Sequence, residues 1–186
     1  MHIVKKLHKD EETILHFLDV FGAGSVALGT AHREARPGFF IFATTFIHEY
    51  IEDSFFKKED LLLKALEACG FAPDEGSVGA MRRDQVKSRE AADLLLKAAK
   101  AWQAKDDVAR VDVSWAASEY TSTLRQHLDR LKNLIYPLLD QNISADDEQK
   151  IAEGLNNIVF ETSMKGEADK YTKLIETLEE ELSDWE

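Results

Sequence analysis

Ile47-His48-Glu49-Tyr50-Ile51-Glu52-Asp53-Ser54-Phe55-Phe56-Lys57-Lys58-Glu59-Asp60-Leu61-Leu62-Leu63-Lys64-Ala65-Leu66 is the stretch whose reading decides the fold. Ile47, Ile51, Phe55, Leu62 and Leu66 follow one another at helical spacing and form one apolar face. Glu59 lies on that same line and interrupts it. Pro37 suits the first turn of this helix and Gly70 the position just past its end. The helix is therefore long, and six of the ten phenylalanines fall between Phe39 and Phe56.

Working outward, the same pattern recurs three times. Val4, Leu7, Glu11, Ile14, Leu18 and Phe21 share one face of a first helix that the spacing predicts from about Ile3 to the region of Gly22 and Gly24. After the turn Phe71-Ala72-Pro73-Asp74-Glu75-Gly76, a third helix offers Val78, Met81, Gln85, Ala92, Leu95, Leu96 and Ala99. Lys105-Asp106-Asp107 supplies a turn and a cap for a fourth, whose face reads Val113, Tyr120, Leu124, His127, Leu131, Leu134 and Leu138, with Pro137 expected to kink or end it near Tyr136. Ser144 followed by Asp147 predicts a capped fifth helix to about Phe160. A last helix after Gly166 carries Ala168, Tyr171, Leu174, Ile175, Leu178 and Leu182 as a narrow stripe suited to packing across the others.

Three prolines, nine glycines and no alternating Val/Ile runs leave strands without support. The expectation is an all-α fold: an antiparallel up-down-up-down four-helix bundle over residues 1–142, with acidic helices over 143–186 packed on it in a single domain. At 186 residues the chain is long enough for one sizeable core. The net charge of -12 and the absence of a basic stripe argue against nucleic acid as a partner. From Ser144 to Glu186 there are 13 acidic and 4 basic residues, so this acidic segment is the expected surface for any protein partner. One cysteine, Cys69, precludes an intramolecular disulfide and suits a reducing, cytoplasmic setting; it reads as a buried or half-buried structural thiol. Met1-His2-Ile3-Val4-Lys5-Lys6 lacks the apolar core of a secretory signal, and the Phe-rich segment is too short to span a bilayer, so no membrane association is expected. The sequence does not set the oligomeric state.

Function turns on the interruptions. In an antiparallel arrangement Glu11, Glu59, Gln85 and His127 come to one level of the core. A buried ion costs several kcal/mol unless compensated. Two explanations stay open: a single ion held by two carboxylates, an imidazole and an amide oxygen, or a hydrogen-bonded network in which Gln85 donates to one carboxylate and His127 pairs with another. Without an ion, at least one carboxyl is expected to have a raised pKa. His48 and Glu52 form a second, weaker candidate pair nearly two turns earlier. His2, His8, His16 and His32 fall into no arrangement, and no phosphate-cradling loop or Ser-His-Asp signature is recognisable, so hydrolase or nucleotide-dependent activity is without support, and an oxidative enzyme with a mononuclear site is the least favoured reading.

These residues support a comparison with a known family. The stretches Lys57-Lys58-Glu59-Asp60-Leu61-Leu62-Leu63-Lys64-Ala65-Leu66-Glu67-Ala68-Cys69-Gly70-Phe71, Gly76-Ser77-Val78-Gly79-Ala80-Met81, and Leu124-Arg125-Gln126-His127-Leu128-Asp129 through Tyr136-Pro137 resemble the hemerythrin-like, or HHE cation-binding, family. The resemblance spans Leu7 to Ser144 and implies a four-helix bundle around a non-haem di-iron centre. The family's ligand positions fall on Glu11, Phe55 with Glu59, Gln85, and His127 with Leu131. Only Glu59 and His127 match in type, and Phe55 and Leu131 cannot bind a metal, so a normal di-iron centre is not expected. What the resemblance implies is a remodelled site: one Fe, Mn or Zn ion on Glu11, Glu59 and His127 with Gln85 beside it, and a role in sensing or binding. The alternative is a metal-free structural or interaction bundle in which the ancestral site is lost.

Overall fold

The computed structural model describes residues 2–30, 34–164 and 169–185. Expectations placed on His32, Gly166 and Ala168 lie outside the described residues. Among those described, all regular structure is helical: α1 (His2–Gly29), α2 (residues 37–68), α3 (Gly76–Gln103), α4 (residues 109–142), α5 (Ala145–Met164) and α6 (Lys170–Ser183). The longest helix–helix seam joins α3 to α4; α1 also lies along α4, and the first third of α2 lies along α3. The last helix, α6, crosses α1 and the start of α2, while α5 covers the end of α2.

Local chemistry explains the boundaries. Pro37 begins α2, and its end is a glycine-dependent turn in which Phe71 N–H reaches Leu66 C=O and Gly70 N–H reaches Glu67 C=O, with Gly70 at φ +99°. The same double bond closes α3 through Asp106 N–H to Ala101 and Lys105 N–H to Trp102, but there the left-handed residue is Lys105 at φ +76°. Ser144 and Asp147 cap α5 reciprocally, since Asp147 N–H donates to Ser144 Oγ at 3.1 Å and Ser144 N–H to Asp147 Oδ2 at 3.4 Å. The first helix runs past Gly22 and Gly24 to Gly29. Gly24 is there for packing rather than termination: a Cβ at that position would run into the Phe39 ring.

Two stretches are π-helical, which apolar spacing does not predict. Ile47–Phe55 lies in α2 and Leu131–Ile135 in α4. Ile47, Ile51 and Phe55 are spaced by four, and on a regular α-helix each such step drifts about 40° around the axis. Wider turns remove that drift, and all three side chains are fully buried. In α4 the extra residue changes the expected face. After Leu131 the inward residues are Ile135 and Leu139, both 0% exposed, whereas Leu134 is 44% exposed and Leu138 only partly buried. Pro137 does not end α4, which continues to Asn142; the irregularity falls in the turn just before it. Cys69, expected inside, is exposed, with its Sγ 3.5 Å from Asn142 C=O.

The two ends of the helical array differ in chemistry. At one end rings stack: Phe17 on Phe46 at 4.3 Å, Phe21 edge-on to Tyr120 at 6.2 Å, and Trp185, beyond α6, on Phe39 at 4.8 Å. Toward the other end lies the polar layer.

Candidate functional site

Glu59 on α2 and His127 on α4 are the centre of this layer, with side chains 0% and 1% exposed. His127 Nε2 lies 2.6 Å from Glu59 Oε1 and 2.8 Å from Oε2, its hydrogen bond directed at Oε2. Gln85 on α3 donates to the same Oε2 at 3.1 Å. Three of the four interruptions therefore meet directly. The fourth does not: the Glu11 carboxylate accepts from the Tyr136 hydroxyl of α4 and has His8 Nδ1 3.7 Å away, so it faces a phenol instead of Glu59.

The network extends through residues that helical periodicity passed over. Asp84, beside Gln85, lies 3.5 Å from His127 Nδ1, a charge contact too long for a well-formed hydrogen bond. Both Asp84 oxygens accept from Arg130, at 2.7 and 2.8 Å. Asp10, beside Glu11, accepts from Lys58 Nζ at 2.6 Å and from the Tyr50 hydroxyl at 2.8 Å. Asp10, Lys58 and Asp84 are each the immediate neighbour of a recognised residue, whereas Tyr50 and Arg130 are not. Adjacent helical residues sit about 100° apart, on the flank that meets the next helix, so the legible signal was the paired polar residues Asp10-Glu11, Lys58-Glu59 and Asp84-Gln85.

The electrostatics follow from this geometry. Burial alone would push the His127 pKa down; the Glu59 carboxylate, reinforced by Asp84, overcomes it and lifts the value to about 9, so the ring is an imidazolium at neutral pH. Burial would raise Asp84, yet His127 and then Arg130 hold it below the usual carboxylate value. Charges alternate along the chain Glu59, His127, Asp84, Arg130. Burial raises the Glu11 pKa despite the opposing hydrogen bond from Tyr136. The Tyr136 hydroxyl is itself raised, by burial and then by Glu11.

Phe55 and Leu131, where the resemblance places further ligands, are fully buried apolar side chains. Among the described residues, no group of three or more His, Cys, Asp or Glu side chains is arranged to hold a metal ion. His48 Nδ1 is 2.8 Å from Glu52 Oε2, a half-exposed pair at the rim without a third ligand of these types. The other Glu52 oxygen and the Tyr120 hydroxyl, both buried, have no hydrogen-bond partner, and neither do Glu59 Oε1 and His127 Nδ1 in the polar layer. His16 is an exposed partner of Glu179 on α6. No helix is long and apolar enough to cross a membrane among the described residues. No protein-family model matches the chain, and no curated protein or solved structure matches it either.

Proposed function

We propose that the chain is a hemerythrin-like, antiparallel up-down-up-down four-helix bundle whose ion-binding layer has become a buried ion-pair network, and that it works as a metal-independent interaction protein. One observation carries the proposal: His127 Nε2 spends its contact on both Glu59 oxygens, at 2.6 and 2.8 Å, while Phe55 and Leu131 fill the neighbouring ligand positions with hydrocarbon. Short connections between α1 and α4 and the seams of α4 with α1 and α3 support the topology. The donor set as placed does not fit an ion. A zinc ion takes at least three protein ligands, and here one carboxylate and one imidazole already bind each other, with Gln85 presenting its N–H rather than its oxygen.

A second reading, one Fe, Mn or Zn ion on Glu11, Glu59, His127 and Gln85, is favoured by the convergence of the last three. It requires His127 to give up a proton and Glu11 to leave Tyr136. Elemental analysis after purification without chelator, and after loading with each metal in air and without oxygen, separates the two. Substoichiometric metal, equal in wild type, Glu59→Ala and His127→Ala, is the expected result. One equivalent that is lost in both variants overturns the metal-independent reading.

The acidic helices α5 and α6 are pinned to the bundle by contacts such as His16 to Glu179 and Lys6 to Asn156, which leaves their outer faces open to a protein partner.

A further inference from the structure

Trp115 is 62% exposed, against 8% for Trp102 and 3% for Trp185. It stands on α4 in line with Val108 and Val111, which are 77% and 70% exposed. Positions 108, 111 and 115 follow the three-and-four spacing of a single helix face, so an apolar stripe faces outward over the start of α4. One turn further along the same helix, Ser118 and Ser122 line an open surface groove of about 400 Å³ with Gly22 and Ser25 of α1, over a seam that Ser118 Oγ and Ser25 Oγ close at 3.3 Å. That volume is at the lower end of the range for ligand clefts, and large enough for an indole. Val26, 68% exposed, forms its wall.

The chain carries a net charge of -12, so two copies repel wherever their acidic surfaces meet. The groove is lined by one acid and one base, Asp19 and Arg125, which neutralise each other at 2.7 Å. An apolar projection beside a recess whose one acid and one base are already paired is what a two-fold interface needs, because each copy then offers the same knob and the same hole. We infer that the α1–α4 face is a homodimer surface, in which Trp115 of each copy seats in the Gly22–Ser118 groove of the other. The inference rests on the interaction-protein reading and names its partner as a second copy of this chain.

Size sets the strength. From Val108 to Arg125 the stripe runs about 26 Å, and two helices are about 20 Å wide, which gives roughly 500 Å² per copy. A stable complex usually buries about 800 Å² on each side. The dimer is therefore weak and reversible, in the micromolar to sub-millimolar range, and forms where the chain is concentrated.

Sedimentation equilibrium of the full chain from about 10 µM to 1 mM covers that range, and acrylamide quenching of tryptophan is read on the same samples. Self-association that tightens as salt screens the acidic repulsion is expected, together with falling quenching, because Trp115 is the accessible indole. Trp115→Glu, and independently Ser118→Arg in the groove, are expected to weaken association at least tenfold. Val86→Glu on the exposed side of α3 is expected to leave it unchanged. A chain that stays monomeric throughout overturns the inference. So does a dimer indifferent to both α4 substitutions, which places the contact elsewhere, the acidic α5–α6 surface included. Neither outcome touches the metal analysis, so a monomer without metal leaves the ion-pair reading intact.

Discussion

His127 and Glu59 share a doubly short contact, 2.6 and 2.8 Å from one imidazole nitrogen to the two oxygens of one carboxylate, with neither side chain open to solvent. A pair so enclosed gains little screening from water, and its partners on either side, Gln85 and Asp84, decide how firmly it is held.

Stability should fall in mild alkali. The folded value of His127, about 9, lies above its unfolded value of 6.5. The imidazolium therefore stabilises the fold fully below pH 6.5 or so, and that contribution is lost as pH rises through 9. Urea unfolding of wild type compared with His127→Gln, at several values between, should show the difference between the two narrowing by on the order of 3 kcal/mol. A difference that stays constant across this window contradicts a buried imidazolium.

Breaking the pair should cost more than replacing it. Glu59→Ala leaves a buried cation with only Asp84 beside it and is expected to lose about 3–5 kcal/mol. Glu59→Leu combined with His127→Leu replaces the charged pair with hydrocarbon and frees Asp84 to pair with Arg130 alone, with Gln85 losing its acceptor in both variants, so the double variant should be more stable than Glu59→Ala. Denaturant midpoints at pH 7 decide it; additive losses would mean the two side chains do not act as a unit.

Tyr136→Phe removes the hydrogen bond that opposes burial at Glu11. The Glu11 pKa, already raised, should climb further, and the fold should lose about 1–2 kcal/mol for the unsatisfied carboxyl. Carboxyl carbon shifts followed through an acid titration read the pKa directly. No upward movement in the variant would mean the phenol is not its partner in solution.

The π-helical turn in α4 makes opposite demands on two adjacent residues. Leu134→Glu, at a site 44% exposed, should change stability by less than about 0.5 kcal/mol, while Ile135→Ala, at a fully buried one, should cost about 2–5 kcal/mol. Equal costs would restore the regular helical face that places Leu134 inside.

Lys105 holds a left-handed conformation that costs a side-chain-bearing residue about 1–2 kcal/mol. Lys105→Gly should raise the thermal midpoint by a few degrees, and Gly70→Ala, at the equivalent position closing α2, should lower it by a similar amount. Matching shifts of the same sign would mean that backbone strain is not what separates the two turns.

Much of the molecule can be read from local rules. Pro37 and Gly70 bound α2, Ser144 and Asp147 start α5, and the apolar spacing of Ile14, Leu18, Leu62, Leu66, Leu95 and Leu124 names core positions that are buried in the folded chain. These features depend on residues at most a few turns apart, which is the range over which helix geometry is fixed. Gln85, Glu59 and His127 were legible as one layer for the same reason, since an interruption in a regular pattern marks its own height along the helix.

What the sequence by itself determined is therefore the helical class, most boundaries and the level at which polar groups enter the core. The tertiary structure alone decided who pairs with whom: that Glu11 turns to Tyr136, that Asp84 and Arg130 complete the charge on His127, and that Ile135 replaces Leu134 inside. The reason is physical. Periodicity fixes the height and face of a residue, but pairing depends on the rotation of one helix against the next, and two π-helical stretches change that rotation by roughly a residue's worth of turn.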